Sequence, residues 1–288
     1  MIVLAFDPFE PFQYGFFQRG LIVATLAGAL CGLVGVYVVL RSMSYIGHGL
    51  SHAVFGGAAV SAVMGVSYYV GAGLWGVLAA LTIGRVTRRR VIGADAAIGV
   101  VTTASLAIGL AIQSRSGAVS RSLDTVLFGN VLGVLNRDVV VVLVVGTLIV
   151  GIVVGMQREL SFVTFDPEVA GVSGINVGRT DAILMIVLSA TVLVSVRVIG
   201  ALLISAMLVL PAAAARMLTN SIGRMLWISP LLGAAFGLIG MYASWYADVP
   251  SGAVITLVGT AVFAATYLGS DINQRRAIAN LDRHPAFS

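Results

Sequence analysis

The sequence contains no lysine and only one cysteine in its 288 residues. A Walker A loop binds phosphate through a lysine, so this chain carries no ordinary P-loop, and lysine-based catalysis is excluded with it. The single cysteine, Cys31, excludes a disulfide framework and a cysteine zinc knuckle. All seventeen basic side chains are arginines.

Charged residues are scarce as well. They make up 10% of the chain, whereas about 25% is usual in a soluble domain, and 59% of the residues are hydrophobic. The mean hydropathy is +1.02. Since too few polar side chains remain to cover a water-facing surface, the composition predicts a polytopic membrane protein. The arginines lie between apolar runs, as in cytoplasmic loops, so no nucleic-acid partner is expected despite the net charge of +5.

The apolar runs predict an all-α membrane bundle with about nine (eight to nine) transmembrane helices. A span needs about 20 mostly apolar residues. The uncharged run 42–84 is long enough for two helices that fold back near Ser67–Gly73. Arg197 divides the run 182–215, which predicts two short spans with a turn there. The expected spans are 20–40, the two parts of 42–84, 96–114, 139–156, 182–196, 198–215, 226–247 and 250–270.

The loops predict the orientation. Most arginines fall on one side of the membrane, which the positive-inside rule assigns to the cytoplasm. The loop 157–181 and a tail over 271–288 are therefore expected inside, and the loop 115–137 outside. Residues 1–19 are interpreted as an extracytoplasmic or interfacial segment, because they lack the basic start of a signal peptide. Residues 20–270 form the transmembrane domain.

Two histidines form the clearest candidate site, His48-Gly-Leu-Ser-His52. On a helix this spacing places both imidazoles on one face, one turn apart. Imidazole is the commonest transition-metal ligand, and ionisable groups inside membranes are usually functional. Two ligands leave a tetrahedral zinc shell incomplete, which suits a site that must release its ion. The alternative is a pair of histidines bonded to neighbouring backbone or serine groups.

A second candidate lies in the expected cytoplasmic loop. Asp166 suits an N-cap, Pro167 the first helical position, and Gly174 the end of a helix. The pattern predicts a short helix over about 167–173. It is either a structural loop helix or a docking element for a cytoplasmic partner.

Other acidic residues give weaker signals. Asp248 precedes Pro250 in an outward turn, and it is interpreted as a helix N-cap, with an extracytoplasmic gate as the alternative. Asp95 is expected near the start of its span. Asp124 and Asp138 are expected to be outside and solvated.

Several short motifs occur in a specific order along residues 10–270. Together they resemble the membrane permeases of bacterial ABC importers for zinc, manganese and iron ions. The motifs are Pro11-Phe-Gln-Tyr-Gly-Phe-Phe-Gln-Arg19, Met43-Ser-Tyr-Ile-Gly-His-Gly-Leu-Ser-His-Ala53, Leu127-Phe-Gly-Asn130, Phe165-Asp-Pro-Glu168 with Gly174-Ile175, Gly200-Ala-Leu-Leu203 with Leu210-Pro-Ala-Ala213, and Pro250-Ser-Gly252.

The resemblance implies a fold similar to the type II, vitamin B12-type importer permeases, in the bacterial plasma (inner) membrane, with the C-terminus in the cytoplasm. It implies a homodimer embedded in lipid, cytoplasmic ABC ATPase subunits and an extracytoplasmic metal-binding protein. The chain itself is then not an enzyme. It has no tightly bound cofactor and transports a divalent ion, zinc, manganese or iron.

The resemblance also implies roles for residues. It assigns the metal path to His48 and His52. In the family an acidic residue, commonly Asp, stands one turn before the position of His52, and here that residue is His48. Nitrogen ligands suit zinc and carboxylate ligands suit manganese. The histidine pair therefore favours zinc or iron as the transported ion. Coupling to the ATPase is assigned to the helix 166–174, with Asp166, Pro167, Glu168, Ala170 and Gly174.

Two other functions remain open. An intramembrane metalloenzyme would use both histidines as zinc ligands, but the residues between them lack the glutamate of a His-Glu-x-x-His motif. An ion-coupled secondary metal transporter or channel would work without an ATPase. Such carriers usually show paired intramembrane acids or inverted repeats, and the sequence shows neither.

Overall fold

The protein is described by a computed structural model over residues 8–88, 92–115, 129, 133–201 and 203–283, and these residues form helices and no strand. A short 3-10 helix, Glu10–Gln13, precedes the first long helix. The α-helices are α1 (Gly15–Leu40), α2 (Ile46–Met64), α3 (Tyr68–Arg88), α4 (Ala94–Arg115), α5 (Asn136–Gly155), α6 (Gln157–Phe165), α7 (Pro167–Val172), α8 (Val177–Ile199), α9 (Ile204–Leu218), α10 (Ile222–Ala247) and α11 (Ser251–Arg283).

The expected all-α membrane bundle is confirmed. Seven helices of the described residues are long and apolar enough to cross a membrane, namely α1, α3, α4, α5, α8, α10 and α11. Each predicted span coincides with a helix, and the two spans outside this set fall on α2 and on the shorter apolar α9. Helix α11 continues beyond the predicted span to Arg283.

Two turns of the chain follow glycines with positive φ, Gly65 and Gly200. The chain reverses after Gly65, at φ +68°, before α3 begins at Tyr68, at the edge of the turn predicted near Ser67–Gly73. The turn predicted at Arg197 is wrong, because α8 continues to Ile199 and ends at Gly200, at φ +89°. Positive φ costs glycine little, whereas a charged side chain does not interrupt helical hydrogen bonding.

Helix α1 lies at the centre of the bundle and packs closely on α10. A Cβ atom on Gly28 would collide with the carbonyl group of Gly233, and one on Gly233 with the carbonyl group of Gly28. One turn further, the hydroxyl of Ser229 donates to the carbonyl oxygen of Gly32 at 2.6 Å. Small residues at this spacing let helix backbones approach within a membrane. Cys31 is fully buried beside this contact, and its thiol donates to Ser195 of α8 at 3.5 Å.

Asp138 is buried at the start of α5, so the expectation of a solvated side chain is wrong. It is 2% exposed. One carboxylate oxygen accepts from the hydroxyl of Tyr69 on α3 at 2.6 Å, and the other accepts from the backbone N–H of Leu135 at 2.9 Å. These bonds compensate for the loss of water around the carboxylate and join the outer ends of two helices.

Part of one motif lies outside the described residues. Of Leu127-Phe-Gly-Asn130, the structure describes only Gly129. Asp124 lies outside the described residues too.

Candidate metal site

The histidine pair occupies the first two turns of α2. Glycines allow the first turn of α2 to pack closely on neighbouring helices. Gly47 contacts Ser205 and Leu208 of α9, and Leu208 also contacts Gly35 of α1. Gly35 precedes the end of α1 by five residues, or about 7.5 Å of helix. The first turn of α2 is therefore level with the interior of α1.

The two imidazole rings are close to each other. Their centroids are 4.4 Å apart with the ring planes at 83°, as the spacing predicts. His48 is exposed and His52 is half-buried. The Nδ1 atom of His52 is buried without a hydrogen-bond partner in the part of the chain that the structure describes. The neighbouring Ser51 donates instead to the backbone carbonyl of His48, at 2.8 Å. This arrangement disfavours the alternative of two rings bonded to backbone or serine groups.

Both rings line a cleft between α2 and α4. The cleft has a volume of about 410 Å³. Its α4 wall combines one carboxylate, two hydroxyl and two aliphatic side chains with Gly99. A Cβ atom on Gly99 would contact nothing within 4 Å, so the cleft is open there. The residues that line the cleft are Tyr45, His48, Gly49, His52, Asp95, Ile98, Gly99, Thr102, Thr103 and Leu106.

The chain supplies a partial coordination shell. Within the described ranges, no three His, Cys, Asp or Glu side chains lie close enough to hold one metal ion together. Two imidazole nitrogens can bind a transition metal, but four-coordinate zinc needs further ligands. The geometry therefore fits transient binding better than a permanent structural metal.

The short helix predicted after Phe165 is confirmed as α7. Asp166 caps it, because one carboxylate oxygen accepts from the backbone N–H groups of Glu168 at 3.1 Å and Val169 at 2.9 Å. At the other end, Gly174 is left-handed at φ +84°. The N–H of Ile175 donates to the carbonyl of Ala170, and the N–H of Gly174 to that of Gly171. These two bonds form a Schellman motif, so a helix of six residues is fixed at both ends.

Helix α7 presents an apolar surface. Ala170 is fully buried and anchors it, whereas Phe165, Val169 and Val172 are 66%, 47% and 88% exposed. Pro167 begins the helix and Glu168 is exposed in its first turn. An exposed apolar surface on a loop element is typical of a protein contact.

Asp248 ends α10 and does not cap α11. It is the C-cap residue of α10, left-handed at φ 52°, and α11 begins three residues later at Ser251. Its exposed side chain lines a cavity of about 600 Å³ with Phe16, Phe17 and Trp245. The cavity lies at the opposite end of the bundle from α7, and it contains no histidine among its lining residues in the described ranges.

Sequence reasoning missed one polar cluster between α7 and the histidines. Arg41, which follows α1, donates from Nη1 to Asp181 of α8 at 2.7 Å and from Nε to Thr164 of α6 at 3.0 Å. These partners lie more than a hundred positions away in the sequence, so no local pattern links them. In the sequence, the only signal of this cluster is the position of Arg41, two residues before the motif that contains the histidines.

Comparisons with known proteins agree along nearly the whole chain. Residues 13–269 match the model of the ABC 3 transport family. Manganese transport system membrane protein MntC of Listeria innocua is 36% identical over 256 residues, which are 89% of this chain and 91% of that protein. A protein of Haemophilus influenzae named "Probable iron transport system membrane protein" is 32% identical over 92% of this chain and 98% of its own length.

A solved structure is similar in fold and in sequence. It is titled PsaBC from Streptococcus pneumoniae in complex with Fab, and its matching chain has a TM-score of 0.80 and 31% identity. The match covers 90% of this chain and 94% of that chain.

Proposed function

Because this chain belongs to the ABC 3 transport family and is a multi-pass permease subunit of the plasma membrane, not an enzyme, we propose that it imports a divalent transition-metal ion. The observation that carries the proposal is the pair of imidazoles that line one open cleft, whose other wall is a helix apolar enough to cross a membrane. His48 and His52 bind the ion briefly on its way through the membrane. The metalloenzyme alternative falls with the family assignment.

The cargo is zinc, manganese or iron. Relatives of this chain are named for manganese and iron, whereas two nitrogen ligands favour zinc or iron over manganese. Iron is the ion that both arguments favour. Competition among the three metals in one uptake assay ranks them directly.

A second copy of this chain completes the site. His48 and Thr103 are exposed on the surface of one protomer, at a depth where polar groups facing lipid are costly. A twofold axis along the α2–α4 cleft would cover both side chains and bring two further imidazoles to the ion. Four nitrogen ligands would then complete a tetrahedral shell.

The energy comes from another chain. Without lysine this permease has no Walker A loop, so ATP is bound by a cytoplasmic ATPase subunit. The partner docks on an exposed apolar surface made by Val169 and Val172 of α7 and by Phe165 at the end of α6. Asp166 and Gly174 keep that surface rigid, because they fix both ends of the helix. The C-terminus lies on the same side by the positive-inside rule.

The opposite end receives the ion from an extracytoplasmic metal-binding protein. The cavity beside Trp245 opens there, and Asp248 is its exposed carboxylate. A negative charge at the outer mouth attracts a divalent cation and makes Asp248 the candidate gate on that side.

The test measures uptake of manganese, iron and zinc by cells that lack their other importers for these metals. The double variant His48→Ala plus His52→Ala is expected to lower uptake by at least about tenfold, the loss typical of a perturbed metal site. Met64→Ala is the matched control, since Met64 is 71% exposed at the far end of the same helix.

Unchanged uptake by the folded double variant would contradict the metal path. Inactivating the ATPase subunit is expected to abolish uptake. Continued uptake without ATP hydrolysis would favour the secondary carrier.

A further inference from the structure

Asp95 shares the cleft with the histidine pair. It lies in the first turn of α4, its side chain is exposed, and it lines the cleft together with His48 and His52. The sequence alone gave it no role beyond starting a span. A carboxylate in the same open space as two imidazoles is a third metal-binding group.

Contacts between α2 and α4 fix the level of Asp95. Gly49 packs on Ile98 and Thr102, and Gly56 packs on the backbone of Ser105. Both helices therefore run in the same direction. The seven residues from Gly49 to Gly56 on α2 correspond to the seven residues from Ile98 to Ser105 on α4. By this register, the residue level with His48 is Gly99.

Asp95 lies one turn before Gly99 on α4. Four residues correspond to about 6 Å along a helix axis. His52, His48 and Asp95 thus follow one another along the cleft at intervals of about one turn. The last turn of α3, just before α4, carries Arg85 and Arg88, so the positive-inside rule assigns the Asp95 end to the cytoplasm.

The three groups act in succession. Within the described residues no three such side chains are close enough to hold one ion at the same time. An ion that leaves the imidazoles inward meets a negative charge one turn further on. That charge offsets part of the cost of moving a cation through an otherwise apolar cleft.

We propose that Asp95 is the inner metal-binding residue of the pathway, which takes the ion from His48 and releases it to the cytoplasm. The proposal rests on the proposed function, since it needs the histidine pair to carry the ion. The oxygen ligand comes last because carboxylate oxygens suit hard ions and hold softer transition metals less selectively than nitrogen does.

The experiment uses three variants in the cellular uptake assay. Asp95→Asn removes the charge and is expected to lower manganese uptake roughly tenfold, as for other residues around metal sites. Asp95→Cys places a thiolate there and is expected to raise the ratio of zinc to manganese uptake, because thiolate prefers zinc. Asp95→Ser is close to the size of cysteine and lacks both the carboxylate and the thiolate, so it shows the effect of losing the carboxylate alone. Its ratio of zinc to manganese uptake is expected to stay below that of Asp95→Cys.

The outcomes separate the two proposals. Normal manganese uptake by Asp95→Asn, with uptake lost in the double histidine variant, overturns the role of Asp95 alone. Reduced uptake that parallels a loss of folded protein, with no change in metal preference in Asp95→Cys, means that Asp95 only starts α4 and also overturns it. Normal uptake by the double histidine variant overturns the proposed function.

Discussion

Arg41 is the residue at which α6 and α8 meet the start of the histidine helix α2. Its guanidinium bonds Asp181 and Thr164, and the side chains of the ion pair are only 12% and 13% exposed. Thr164 stands just before α7, and five residues after Arg41 the helix α2 begins. A displacement of α7 would therefore be transmitted to the start of α2 through one side chain.

Asp181→Asn is expected to lower the free energy of unfolding by about 3 kcal/mol, because it leaves a nearly buried guanidinium without its counter-charge. Denaturant unfolding in detergent measures the loss. Asp248→Asn is the matched control at an exposed carboxylate, and little change is expected there. The double variant Arg41→Gln plus Asp181→Asn should lose less than the sum of the single losses. Purely additive losses would mean that the pair is not coupled.

At this scale the sequence predicted local groups well and distant partners poorly. The spacing of His48 and His52 was sufficient, because four residues on a helix fix the relation of two side chains. Asp138 looked solvated in the sequence, since its partner Tyr69 lies on another helix. Burial of a polar group depends on partners that the chain brings together only on folding.

Helix α7 is a regular element defined by a very short stretch of sequence. Six residues are too few for a stable isolated helix, so its order depends on the two caps and on buried Ala170. The Asp166 carboxylate satisfies backbone donors at the start, and the left-handed Gly174 allows the closing bonds at the end. An element held in this way is a rigid contact and not a flexible loop.

Asp166→Ala is expected to loosen α7 alone. Loss of an N-cap costs about 1 kcal/mol, so the backbone amides of residues 168–173 should exchange with solvent about fivefold faster. Hydrogen exchange measures this, and metal uptake should fall in the same variant. Asp166→Ser keeps a capping oxygen and is the matched control. Equal exchange in both variants would show that the cap does not stabilise the helix.

Capping signals predicted α7 to within one residue, because each cap residue has a local conformational reason. The turn after α8 was misplaced for a related cause. The turn was predicted at Arg197 because of its charge, whereas Gly200, three residues later, has the positive φ that ends the helix. Conformational preference decides where a membrane helix stops, and charge decides which side its end faces.

The whole bundle is organised by close contact between α1 and α10. Gly28 and Gly233 bring two backbones together without side chains between them. The composition predicted a membrane bundle. Which helix would be the partner was not predictable, since α1 and α10 are far apart in the chain.

Gly233→Ala is expected to destabilise the protein by about 1–3 kcal/mol, because the added methyl group overlaps the carbonyl of Gly28 and forces the helices apart. Gly151→Ala on α5 is the matched control, since its Cβ atom would contact nothing within 4 Å. That change should be neutral or stabilise by up to about 1 kcal/mol through helix propensity. Thermal unfolding of both variants in detergent measures the difference in stability. Similar unfolding temperatures would contradict the packing argument.

Cys31 lies in the bundle interior with its sulfur turned towards Ser195, so water-soluble maleimides cannot reach it. The permease therefore needs no prior cysteine removal for accessibility mapping. A thiol introduced at either mouth of the cleft would be the single labelling position, and the side from which reagent reaches it would report whether the pathway is open outward or inward.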